Sequence, residues 1–321
     1  MSTRSNDQGR AYEYIWIQTL YDALYKRRKT RIIENSSLLA NKNAWSNIDD
    51  DLQDDLTLSA QAAIDMLLEL EPMLLESNND ELTLEFQVDK KGVEGDVRDI
   101  VIRRECTAWE IGLSIKHRHD DAKHSRLSKD LDFGNSWYGL PCSQRYKDAI
   151  KPIFTRLETA KNENKNWSDI QDKEETVYIP LLQAFIDEIK RAYKKDRSLP
   201  EKLLEYLIGS EDYYKIISHD EKRITLIRTF NVHGSLNKPG QVKVSIITVP
   251  KVNLPTELVA VKFKTDSKTT VEMYLNNGWQ ISFRIHSART KVEPSLKFAI
   301  KFEGMPATVK TFVCEWKSKQ D

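Results

Sequence analysis

An acid and a lysine set one strand apart could act together on a single phosphodiester, and residues 95–119, GDVRDIVIRRECTAWEIGLSIKHRH, place such a pair. Val97, Ile100, Val101 and Ile102 form a short apolar run. In EIGLSIK, Ile111, Leu113 and Ile115 alternate with Glu110, Gly112, Ser114 and Lys116. The spacing predicts two strands joined at Glu105-Cys106-Thr107-Ala108, in a register that sets Asp99 opposite Ser114, with facing residues within about 4.5–5.5 Å. Ser114 and Lys116 then share the polar face of the second strand. In that geometry Asp99 holds a divalent metal ion, while the Lys116 ammonium orients the attacking water and neutralises developing charge. Asp96 is the alternative acid.

This layout resembles the core of the PD-(D/E)XK nucleases, with Asp99 as the D and Lys116 as the K. Ser114 stands where that superfamily usually has Asp or Glu. Glu110 faces the same way, but four strand residues at about 3.3 Å each set it roughly 13 Å from Ser114, too far for a ligand without a bulge. The N-terminus offers a better substitute. Over residues 6–28, Tyr12, Ile15, Trp16, Thr19, Leu20 and Leu24 follow helical spacing, which predicts a helix with Glu13 in its first turn. A Gly9-x-x-x-Glu13 opening resembles the extra acid that many of these nucleases project from the first helix toward the metal. A carboxylate in a first turn also complements the helix dipole, and the residues alone leave both readings open. The expected site is Asp99, Glu13 and Ser114 around the metal, Ser114 directly or through water, with Lys116 beside them.

Six stretches in order carry a narrower resemblance: NDQGRAYE (6–13), SAQAAID (59–65), GDVRDIVI (95–102), WEIGLSIKH (109–117), KHSRLSKDLDFG (123–134) and FRIHSARTKVEPSLKF (283–298). Together they are similar to the HaeIII-type Type II restriction endonucleases, over nearly the whole chain. The resemblance implies cleavage of both DNA strands within GGCC, Mg2+ or another divalent metal as cofactor, and a companion DNA methyltransferase that acts on the same sequence without being bound. A palindrome is most simply read by a two-fold symmetric homodimer, each protomer taking one half-site. Two other classes stay open on the residues: a DNA-binding protein of nuclease fold that no longer cuts, suggested by Ser114, and a nuclease of repair or RNA processing.

Two segments are candidates for contact with duplex DNA. The arm KHRHDDAKHSRLSKD (116–130) leaves the strand that carries Lys116, and Arg118, Lys123, Arg126 and Lys129 could contact phosphates. His124 lies among them, and Ser125 or Arg126 could reach a base edge. A solvated basic helix is the competing reading. His117, His119 and His124 fall within eight residues, but no Cys or fourth ligand at a suitable spacing supports zinc. In FRIHSARTKVEPSLKF, a strand with Arg284 and His286 on one face leads into a Lys291/Glu293/Pro294 turn. Arg can donate two bonds to guanine, so this is a second reading element unless Arg284 simply pairs with Glu293. Trp137, Tyr138, Gln144 and Arg145 are weaker candidates, because aromatics of this kind more often belong to a core.

The elements that position these residues follow from the periodicity of 321 residues. Helical patterns fill most of 9–80, the mixed core spans about 82–119, and charged helical sequence returns across 144–219. Strand signals begin at QVKVSIITV (241–249) and continue through 258–264, 270–276, 278–287, 296–302 and 308–316, with Asn277-Gly278 marking a tight hairpin. The expected fold is α/β (α+β): a PD-(D/E)XK-like mixed sheet with added helices over 1–234, and a β-rich region over 235–321 as DNA-recognition element. Lys+Arg and Asp+Glu number 49 each, which by itself speaks against a polyanion partner. The distribution does not: residues 235–321 hold 14 basic and 7 acidic residues. Cys106, Cys142 and Cys314 lack metal spacing and read as free thiols. With no run of about 18 apolar residues and no signal-peptide pattern, the expectation is a cytoplasmic bacterial or archaeal protein that enters no membrane.

Overall fold

A computed structural model describes residues 2–76, 80–87, 96–120, 122–240 and 244–317, with only the backbone of residues 2–5 and 124. The fold is mixed α+β, with seven α-helices among the described residues. No described helix is long and apolar enough to cross a membrane. The chain forms two compact units, residues 1–120, 209–253 and 307–321 in the first, 121–208 and 254–306 in the second. Both are discontinuous, so the units divide the chain differently from the expected boundary at 234/235. The reason is strand pairing between segments far apart in sequence.

The first unit is built on a seven-stranded sheet. Its strands are β1 (Thr30–Ile32), β2 (Leu82–Phe86), β3 (Ile100–Arg104), β4 (Trp109–His117), β6 (Tyr213–His219), β7 (Ile224–Phe230) and β12 (Thr311–Glu315), side by side in that order. β1 with β2 and β4 with β6 are parallel; the other neighbours are antiparallel. Helices α1 (Ser2–Leu24), α2 (Ser36–Ser46) and α3 (Asp50–Leu70) complete it. Trp16 and Leu20 from α1, Leu56 and Leu67 from α3, and Ile111, Leu113 and Ile115 from β4 share one core. Because strand side chains alternate, burying those three residues of β4 turns Glu110, Gly112, Ser114 and Lys116 to the opposite, polar face. Leu113→Ala would empty a fully buried position and cost about 2–5 kcal/mol.

α1 begins earlier than its periodicity predicts, so Glu13 sits in the helix interior and not in the first turn. That removes the dipole explanation, whose effect fades beyond the first turn.

The second unit has an antiparallel sheet in the order β5 (Lys123–Leu127), β11 (Leu296–Gly304), β10 (Gln280–His286), β9 (Thr270–Leu275) and β8 (Leu258–Phe263). Helices α4 (Phe133–Tyr138), α5 (Gln144–Asn162), α6 (Ile179–Lys195) and α7 (Leu199–Ile208) accompany it. Phe133, Trp137, Phe185, Phe283 and Phe298 form its aromatic core, which places Trp137 and Tyr138 inside the unit. Asn277 and Gly278 turn β9 into β10 with φ of 59° and 88°, values an Asn-Gly pair adopts readily. Strand signals at 258–316 mark real strands. Residues 244–249 of the segment expected to start the series are not in a strand, and 241–243 lie outside the described residues.

Candidate active site

β3 and β4 pair with Ile100 opposite Leu113 and Arg104 opposite Trp109, and Ala108 closes the turn with φ of 48°. This is the expected register, and the Asp99 amide continues it by donating to the Leu113 carbonyl at 2.8 Å. Asp99 and Ser114 are thus neighbours. Asp99 Oδ2 accepts from the Ile115 amide at 2.6 Å, Lys116 Nζ at 2.8 Å and Ser114 Oγ at 3.3 Å. Three donors on one oxygen fix the carboxylate against the strand.

Glu13 reaches the same group from α1. Burial pushes its pKa up to about 8, the Asp99 charge adds to the rise, and Lys116 opposes it; Asn41 Nδ2 donates to Glu13 Oε2 at 2.8 Å. Lys116 is the counterpart. Burial works to lower its pKa, but the Asp99 and Glu13 carboxylates outweigh it and raise the pKa, so Lys116 is a cation at neutral pH. The structure therefore brings Glu13, Asp99, Ser114 and Lys116 together.

Glu110 and Asp96 belong to a separate ion network. Arg98 binds both Asp96 oxygens and donates to Glu110 at 2.6 Å, while Arg103 donates to Glu110 at 2.5 Å and also binds Glu85. Gly112 makes room for this network: a Cβ there would lie 1.9 Å from Arg98 Cδ. Among the described residues no three His, Cys, Asp or Glu side chains converge as a metal cluster, in keeping with Ser114 in place of an acid. His117 instead bonds Asp220 at 2.9 Å, and Arg118, though exposed, is tied to the same carboxylate at 2.6 Å.

In the second unit, residues 123–127 form a strand, not a basic helix. Alternation sends Ser125 inward, where its hydroxyl bonds that of Tyr206 at 3.0 Å. Lys123 Nζ lies 3.8 Å over the Tyr206 ring. Lys123 is part-buried and Ser125 buried, both engaged with Tyr206, and Lys129 is paired with Glu158 at 2.5 Å. The His124 side chain lies outside the described residues. Arg126 points outward, bonding Ser295 Oγ at 3.1 Å with Glu293 at 3.6 Å. Arg284 is exposed and, among the described residues, makes no hydrogen bond or ion pair; Glu293 pairs with Arg289 and Arg126 instead. Lys291 is exposed and donates to the Asn164 carbonyl at 2.7 Å. Across the sheet, Arg126, Lys297 and His286 are successive register partners, with Arg284 on the same face as His286. Lys297 was not singled out from the sequence, although LKFAIKF alternates in the way that turns it outward.

A half-buried carboxylate pair braced by a lysine, on a sheet in a mixed fold, is equipped for hydrolysis of a phosphate ester. The comparisons with known proteins agree. The family model of the HaeIII restriction endonuclease matches residues 9–306. A Type II restriction enzyme, HaeIII from Haemophilus aegyptius, is 46% identical over 318 residues, covering 99% of this chain and 100% of that protein. No solved structure matches. The chain belongs to the HaeIII restriction endonuclease family. It is a sequence-specific Type II deoxyribonuclease that acts on double-stranded DNA.

Proposed function

We propose that the chain cuts both strands of DNA within GGCC, using Asp99, Glu13, Ser114 and Lys116 as its catalytic group. The observation that carries this reading is the convergence of Lys116 Nζ and Ser114 Oγ on Asp99 Oδ2, with Glu13 close enough for its pKa to respond to both Asp99 and Lys116. The donors are all hard oxygens, which suits Mg2+ better than a soft metal. Burial is the main cause of the rise in the Glu13 pKa and the neighbouring Asp99 carboxylate adds to it; a divalent cation between the two acids would counter both. Asp99, Glu13 and Ser114 would hold that cation, which when bound neutralises the phosphate as charge develops on it.

The chain's own residues define the rest of the reaction. Being cationic, Lys116 is a hydrogen-bond donor and not a base; it orients the water that attacks phosphorus and steadies the charge on the phosphoryl oxygens. The bonds from Ile115 and Ser114 hold Asp99 in place, so little reorganisation is needed when the phosphate arrives. The water oxygen bonds to phosphorus as one P–O ester bond breaks; the water gives a proton up to solvent, and the departing sugar oxygen takes one from solvent.

Recognition is assigned to Arg284 and His286, with Arg126, Lys291 and their neighbour Lys297 contributing charge; Arg118, Lys123 and Ser125 contribute less or through positioning, and His124 is kept as a further contact on the strength of the sequence. Two-fold symmetric binding by a homodimer fits a palindrome. A methyltransferase of the same specificity would protect the host sequence. Digestion of plasmid with magnesium, followed by sequencing of the ends, tests the reading: both strands interrupted within GGCC is the expected result, and ends at unrelated sequences would refute the specificity.

A further inference from the structure

Ser114 has a second charged neighbour. On β6, parallel to β4, Lys215 is its register partner, and on β7 Arg228 is the partner of Lys215. Asp99, Ser114, Lys215 and Arg228 therefore form a row across four strands that lie about 4.8 Å apart. Lys215 and Arg228 are 4% and 7% exposed. Like charges in directly opposed positions repel, and burial adds to the cost.

One anion holds them. Asp120 Oδ1 receives Lys215 Nζ at 2.8 Å, and one guanidinium nitrogen of Arg228 reaches both Asp120 oxygens at 2.8 and 2.7 Å. Lys215 also donates to the Asp120 carbonyl at 3.2 Å, and Arg228 Nε to Thr311 Oγ1 at 3.4 Å. Two buried cations share one carboxylate, and Lys116 adds a third cation close enough to depress the Lys215 pKa further, although burial is the main cause of that depression. The Asp120 side chain is 35% exposed, so the anion sits at the mouth of the group with the cations behind it. A phosphate offers the same paired oxygens to a lysine and an arginine that this carboxylate does.

We propose that Lys215 and Arg228 form a seat for the backbone phosphate adjoining the scissile one, with Asp120 as an internal stand-in that the DNA strand displaces. The proposal rests on the endonuclease reading and extends it: the row that begins at the metal-binding acid ends in the group that fixes the strand in register. Lys215 and Arg228 are positioning residues, one strand and two strands removed from Ser114.

The test uses the full chain with a GGCC duplex in EDTA, where binding is read without cleavage, and compares wild type with Asp120→Asn, Lys215→Met and Arg228→Met. Asp120→Asn should melt below wild type when free, bind the duplex about fivefold or more tightly, and recover its melting loss when duplex is added. Lys215→Met and Arg228→Met should bind at least fivefold more weakly and flatten the salt dependence by about one phosphate contact. If Asp120→Asn binds no more tightly and duplex restores none of its melting loss, Asp120 is only a structural counter-ion and the seat is wrong. That measurement decides alone where a Met variant fails to fold. Wild type that cuts plasmid, with Asp99→Ala inactive and Asp120→Asn binding unchanged, overturns the seat and leaves the nuclease. Wild type that cuts no duplex removes both.

Discussion

Two parts of one sheet face handle charge in opposite ways. Around Glu110, burial opposes the charge on Asp96, Glu110, Arg98 and Arg103, yet the partners outweigh it in all four: both acids are held below, and both arginines above, their ordinary values. Around Ser114, Glu13 is pushed up to about 8 by burial and by Asp99, and Lys215 is pushed down by burial despite Asp120. The first network satisfies itself. The second leaves its charges less well compensated, which is the pattern expected of the reactive site proposed above rather than of structural ion pairs.

The sharpest way to break the comparison is to delete the acid at its centre. Asp99→Ala and Lys116→Ala should each lower the cleavage rate by roughly 10³-fold or more, corresponding to about 4 kcal/mol of transition-state stabilisation, while binding to the cognate duplex in calcium persists. Single-turnover kinetics measure this. Near wild-type cleavage by Asp99→Ala would move the role to Asp96, despite its engagement with Arg98.

A raised pKa is not sufficient to mark the reactive end, and Glu71 shows why. It is fully buried, accepts from the Tyr214 hydroxyl and the Asn237 amide at 2.6 Å each, and burial, despite those bonds, lifts its pKa to about 7. The folded protein therefore favours its protonated form. Its contribution to stability is fully present below about pH 4.5 and is lost as pH rises through 7, a span worth about 3 kcal/mol. Denaturant unfolding at pH 5 and pH 8 should show wild type losing about that much more stability than Glu71→Gln over the interval, with no change in cleavage beyond what stability explains. Parallel pH profiles for the two proteins would show that Glu71 is ionised in the fold.

Next in size is the contrast between two acids of the same sheet region. Glu13→Gln should reduce cleavage about 10²-fold and raise the magnesium concentration needed for half-maximal rate. Glu110→Gln should leave cleavage within a few-fold and lower the melting temperature, since it removes one of the two carboxylates that hold each of Arg98 and Arg103. Equal magnesium titrations for wild type and Glu13→Gln would remove Glu13 from the site.

The pairing and proximity of the proposed site residues are legible because that information is local. Alternation in EIGLSIK and a four-residue turn set the pairing of Asp99 with Ser114, and helical spacing brought Glu13 onto a buried helix. What was not legible depended on distant partners. Residues 213–219 and 224–230 are buried almost throughout, so no polar alternation announces their strands. Lys215 next to Ser114 followed from that missed hairpin. The dense charge of residues 123–127 fits a DNA-facing arm or, as the alternative, a solvated helix, and carries no strand pattern; they form a strand because β11 supplies the backbone partners. The same pairing joins residues 169 to 177 positions apart, between Leu296/Leu127 and Ile300/Lys123, and divides the chain into discontinuous units, which a boundary drawn from composition cannot anticipate.

The smallest expected effects extend the comparison to the second unit, where Arg284 has no acidic partner among the described residues and Arg126 has Glu293 within 3.6 Å. An exposed cation without a partner gives up only water when it meets a base edge. A paired one must also leave its carboxylate, so its net gain is smaller. Arg284→Ala should therefore cost about 1–3 kcal/mol for a GGCC duplex with little change for a scrambled one, the signature of base readout. Arg126→Ala should weaken both duplexes by a similar, smaller factor and reduce the salt slope by about one unit, as a phosphate contact does. Equilibrium binding in calcium, across a salt series, measures both. Should Arg126 carry the sequence preference and Arg284 only the salt dependence, the partner-free arginine would be the phosphate contact, and charge satisfaction would not distinguish reading from holding on this sheet.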